Sequence, residues 1–119
     1  MPLTRTLAHP PALDSEDVPD LRVDVRAGVP TAVEICGEID ILSAPWLRDE
    51  LLRVLKHHGP RIAVDLAGVT FMDCAGINVL LATLRQARLE GGWIRVVHPS
   101  SRAWRVISVL GLQDVLTAG

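Results

Sequence analysis

Cysteine is scarce in this sequence: only Cys36 and Cys74 occur among 119 residues. Two cysteines make no disulfide framework, and no structural zinc site unless histidines complete it. His57 and His58 stand side by side in a helical stretch, while His9 and His98 stand alone, so no metal site is indicated. Lysine and arginine are not clustered and the formal net charge is −2, which argues against the basic patch of a nucleic-acid binder. No apolar run reaches the roughly 18 residues needed to span a membrane. Residues Met1 to Asp20 also lack the charged-then-apolar order of a secretory signal. Phosphate loops of the GxGxxG or GKS/T type are missing, and nothing calls for a cofactor. These absences lead to the expectation of a reduced, cytosolic protein that inserts in no membrane and binds no nucleic acid.

What is present suits one folded domain. Apolar residues make up 49% of the chain, enough for a proper core. The first twenty residues hold Pro2, Pro10, Pro11 and Pro19 with Asp14, Glu16, Asp17 and Asp20. That composition predicts a flexible N-terminal extension over 1–20, followed by a domain over 21–119. From Leu21, apolar Leu21, Val23 and Val25 alternate with Arg22, Asp24 and Arg26, the period of a half-buried strand. Ala27-Gly28-Val29-Pro30 supplies a turn into a second strand, Thr31 to Glu38. Leu47, Leu51, Val54 and Leu55 then form a helical stripe, with Arg48, Asp49, Glu50, Arg53 and Lys56 on the other side. Ser43 is the expected N-cap, Pro45 falls in the first turn, and Gly59-Pro60 stops the helix.

The alternation continues beyond that point. Arg61 to Leu66 reads as a strand covered on both faces, and Ala75 to Glu90 as a helix ended by Gly91-Gly92. Trp93 to Val97 reads as a strand. A third helix capped by Ser100 or Ser101 runs to Gly111, and Asp114 to Thr117 is expected to add a last strand. The order β-β-α-β-α-β-α-β is that of an α/β fold, a mixed sheet flanked by helices.

Two stretches carry a family resemblance. Gly37-Glu38-Ile39-Asp40 resembles the G-E-(L/I)-D signature of STAS domains, named for sulfate transporters and anti-sigma factor antagonists. Asp65 through Gly76, DLAGVTFMDCAG, is similar to their segment D-L-x-x-(V/L)-x-F-(M/I)-D-S-(S/A)-G. The resemblance extends from about Leu21 to Leu116. It implies a STAS-like mixed sheet of four or five strands and a non-enzymatic protein-binding role. In the antagonist branch, an anti-sigma factor with a kinase-like domain phosphorylates the serine that opens the second helix. The unmodified antagonist binds that factor and so frees a sigma factor. The resemblance also allows a STAS subunit of a membrane-associated transporter complex. Family members usually carry a further C-terminal helix, so the expected final strand leaves one side of the sheet open to a partner or a second copy of the chain.

The departure from the family pattern is Cys74, which stands at the switch position where the serine is usual. Packing, a thiol switch, partner specificity and a catalytic nucleophile are all open readings, although no histidine is placed to act as a base for the last. A Cys36–Cys74 disulfide is also open. The expected partner-binding residues are Asp40, Ser43, Trp46, Asp73, Cys74, Ala75, Gly76 and Asn78, in two segments that follow strands. Asp73 is also the expected cap of the second helix, and Ala75 and Gly76 are small enough for a close approach. Trp46 and Trp104 fall on polar helix sides, where a tryptophan either anchors an interface or folds over a core edge; Trp93 is expected to pack.

Overall fold

A computed structural model describes residues 4–7 and 21–117. Its elements are β1 (Thr4–Leu7), β2 (Leu21–Arg26), β3 (Thr31–Ile39), α1 (Ala44–His58), β4 (Arg61–Met72), α2 (Cys74–Leu89), β5 (Trp93–Val97), α3 (Ser101–Val109) and α4 (Gln113–Thr117). The five strands form one sheet in the order β1-β2-β3-β4-β5. Tight reversal after Arg26 makes β2 and β3 antiparallel, whereas β3, β4 and β5 run parallel because α1 and α2 carry the chain back between them.

The period-two pattern sorts the sheet into two faces. Leu21, Val23, Val33, Ile35, Ile62, Val64, Ile94 and Val96 join α1, α2, Ala103, Ile107 and Leu116 in one buried cluster. The opposite face carries Asp24, Arg26, Glu34 and Asp65, with His98 Nδ1 3.2 Å from Asp65 Oδ2.

Four details differ from the sequence expectation. Thr4–Leu7 is a strand paired with Val23–Arg26, so the supposed lead-in contributes to the sheet; residues 1–3 and 8–20 lie outside the described residues. Gln113–Thr117 forms α4 rather than a closing strand, with Leu116 buried and its N–H donating to the Leu112 carbonyl. β4 runs six residues past Leu66, still paired with β3 through Met72. Glu50 is buried on α1, and Trp46 is half-buried against the core, although both fall on the outer side of the predicted stripe.

Candidate functional site

The G-E-I-D segment is the end of β3 and a hinge into α1. Gly37 has φ +111, a conformation that glycine adopts without steric cost, between two register shifts in the β3–β4 ladder. The bulge returns Ile39 to the core, opposite Met72. Because the two strands are parallel and end together, the loops that follow them emerge side by side. The Asp73 N–H donates to the Ile39 carbonyl at 3.3 Å and stitches the loops to one another.

The first loop is closed by its own polar groups. Asp40 Oδ1 accepts from the Leu42 N–H at 2.9 Å and the Ser43 N–H at 3.1 Å. Ser43 Oγ accepts from the Asp40 N–H at 3.1 Å and donates to the Glu38 carbonyl at 3.0 Å. The Ala44 N–H reaches the Asp40 carbonyl at 2.8 Å. Ser43 therefore stands at the N-cap position of α1 without capping it through its side chain. It is fully buried, so its hydroxyl holds the loop and is not presented to a partner.

This bonding leaves two aliphatic side chains outside. Ile41 is 75% exposed and Leu42 is 52% exposed. A hydrogen-bonded loop that displays apolar side chains resembles a prepared docking element, since little conformational freedom remains to be lost on binding.

The second loop begins α2. Asp73 has extended backbone angles and its Oδ1 accepts from the Ala75 N–H at 2.9 Å, the expected capping geometry. Cys74 is the first helical residue and its thiol is exposed and free. Ala75 is half-buried and Asn78 exposed. Gly76 is buried, and a Cβ there would lie 2.8 Å from Ile39 Cγ2 and 3.1 Å from Met72 Cγ. Its smallness thus serves internal packing of α2 on the strand ends, not the approach of another protein.

An open groove of about 370 Å³ runs between the helices, with Ile41, Ala44, Pro45 and Arg48 on the α1 side and Ala75, Asn78, Val79 and Ala82 on the α2 side. Of the residues expected from sequence, Asp40, Ser43, Asp73, Cys74, Ala75, Gly76 and Asn78 gather on these two loops and the start of α2. Trp46 does not line the groove and packs inward. Ile41 and Leu42 escaped the sequence reading because they sit between a strand pattern and a helix stripe. An apolar pair outside both periodicities was the available signal.

Cys36 pairs across the sheet with Gly68, and its sulfur would lie 2.5 Å from a Cβ placed there. Both cysteines are free, so the conceivable Cys36–Cys74 disulfide is not formed. Trp93 stacks under the Arg95 guanidinium at 4.3 Å, a packing role as expected. Trp104 is 43% exposed on α3. Among the described residues no cluster of three or more His, Cys, Asp or Glu could hold a metal, and no helix is long and apolar enough to cross a membrane.

Comparison with known proteins places this geometry. The family described as "Mlab, STAS domain" matches residues 23–117. The anti-sigma-B factor antagonist of Bacillus subtilis is 33% identical over 98 residues, covering 82% of this chain and 89% of that protein. The crystal structure of an anti-sigma factor antagonist from Mycobacterium paratuberculosis superposes with a TM-score of 0.72 at 28% identity, covering 82% of this chain and 83% of the other. The anti-sigma factor antagonist SpoIIAA in its unphosphorylated form shares the fold, with a TM-score of 0.67 at 18% identity over 77% of this chain and 83% of the other.

Proposed function

The chain belongs to the STAS domain family, and on that premise we propose that it acts as an anti-sigma factor antagonist. It binds an anti-sigma factor with a kinase-like domain in the cytosol and so frees a sigma factor. The observation that carries this reading is the pairing of exposed Ile41 and Leu42 with exposed Cys74 on two loops tied together at Ile39 and Asp73.

The residues divide into those that touch the partner and those that hold the surface. Ile41, Leu42, Cys74, Ala75 and Asn78 meet the partner, with Arg48 beside the groove available to a carboxylate. Asp40, Ser43, Asp73 and Gly76 position them, and Trp46 braces α1 from within. A phosphate at the first residue of α2 would add nearly two negative charges in the middle of this apolar contact and oppose docking. Cys74 offers a kinase no hydroxyl. Ser43 cannot take over, since it is buried and already bonded on both sides. The chain is therefore an antagonist without the usual off-switch at this position.

The test is sigma release. A complex of fluorescently labelled sigma factor with its anti-sigma factor, from the organism that encodes this chain, is titrated with the chain in the presence and absence of ATP. Sigma should be displaced equally in both conditions, and mass mapping should find no phosphate on Cys74 or Ser43. No displacement at large excess would reject the antagonist reading, whereas displacement abolished by ATP with phosphate on either residue would reject the missing switch.

A further inference from the structure

At the opposite end of α2, its last turns and α4 bound a second groove of about 400 Å³, lined by Leu81, Leu84, Arg85, Arg88, Leu89 and Val115. At about 1.5 Å of rise per residue, Leu89 lies roughly 20 Å along the helix from Cys74. This surface is therefore separate from the proposed anti-sigma contact. Leu84 is buried and Leu81 half-buried, giving the groove an apolar floor. Leu89 is 77% exposed and Val115 38% exposed beside it, and Val109 and Leu110 are exposed where α3 turns into α4.

The charges state what kind of occupant fits. Arg85 and Arg88 are both exposed, one turn apart on the groove, and neither is in an ion pair among the described residues. Glu90, the acid nearest in sequence, is engaged with the Gln86 amide at 2.8 Å. An apolar floor beside two unneutralised guanidinium groups is complementary to a segment that carries apolar side chains flanked by carboxylates. A second copy docked by two-fold symmetry would set these arginines against their own counterparts. A bilayer surface would not fill a concave groove.

We propose that the α2–α4 groove is a second docking surface, for an acidic amphipathic helix of another protein whose leucine-like side chains enter the groove while its carboxylates pair with Arg85 and Arg88. One rigid helix would then carry a contact at each end, so the chain could hold two proteins at once.

The probe is a synthetic peptide of about 18 residues, long enough to hold a helix, with leucines at helical spacing and glutamates between them. A second peptide has lysine for every glutamate. Titrated into the full isotope-labelled chain, the glutamate peptide should shift the amides of Leu81, Arg85, Arg88, Leu89 and Val115 and leave Cys74 and Asn78 unmoved. Its affinity should fall at least about tenfold in the double variant Arg85→Glu/Arg88→Glu. Leu89→Asp, at an exposed position, gives an independent reading and should weaken binding in the same sense. Absence of shifts, equal binding of the lysine peptide, or shifts confined to the α1–α2 groove would overturn the proposal. So would two other results: Arg85-dependent binding to phosphatidylglycerol vesicles in place of the peptide, which would assign the face to lipid, or self-association in sedimentation that Leu89→Asp abolishes, which would assign it to a second copy.

Discussion

At Asp40, one carboxylate oxygen takes two backbone N–H groups, so the side chain works as the loop's internal scaffold. Asp40→Ala leaves both donors to water. It should cost about 1–2 kcal/mol, in the range for lost capping-type bonds, with Asp40→Asn recovering part of it. Urea denaturation monitored by circular dichroism reads this directly; an unchanged midpoint would mean that the loop holds its shape by packing alone. Gly76 makes a sharper case. A methyl group there must displace Ile39, whose branched side chain is stiff, or Met72 behind it. Overpacking of this sort typically costs about 1–3 kcal/mol, so Gly76→Ala should lower the melting temperature measurably, and a neutral result would show that α2 can slide on the strand ends. Capping by Asp73 is legible in the sequence because capping is the commonest use of an acid directly before a helix stripe. The role of Ser43 is not, since the same residue type before a helix fits both a cap and a backward bond to the strand. Which bond forms depends on where Asp40 sits.

Among the elements, α2 carries the most weight, because one face fills the core while its two ends reach the surface. Leu80 is fully buried in the middle of it. Leu80→Ala should therefore destabilise the fold by about 2–5 kcal/mol through the cavity it leaves, while any binding measured below the melting transition persists. Loss of binding in a still-folded Leu80→Ala protein would contradict the separation of core from contact surface. α2, β2, β3, β5 and the first half of β4 are readable in the sequence, as is the main stripe of α1, whereas β1 and the second half of β4 are not. Trp46 and Glu50 lie on the flank of the α1 stripe away from Ala44, Pro45 and Arg48, which face α2. The buried arc of α1 therefore extends round the side away from α2 and is wider than the stripe alone. α4 reads as a strand in sequence because five residues hold too few periods to tell 2.0 from 3.6. Asp114 in the first turn and buried Leu116 decided it.

For the whole molecule, the parallel β3–β4 pair explains how two motifs about thirty residues apart become one surface: adjacent parallel strands deliver their C-terminal loops to the same edge. The family resemblance conveyed this arrangement in sequence, whereas the exposure of Ile41 and Leu42 required coordinates. On the proposed function, an anti-sigma factor docks where Cys74 opens α2. Calorimetric titration of that factor into wild-type chain and into Cys74→Asp reads out this contact. An acid at the first turn of a helix is tolerated by the helix dipole, with an effect on stability of about 1 kcal/mol or less, so folding and binding can be told apart. The melting temperature should move by a few degrees at most, and the affinity should fall by at least about tenfold, from an unpaired charge placed in an apolar contact. Wild-type affinity in a folded Cys74→Asp protein would contradict it.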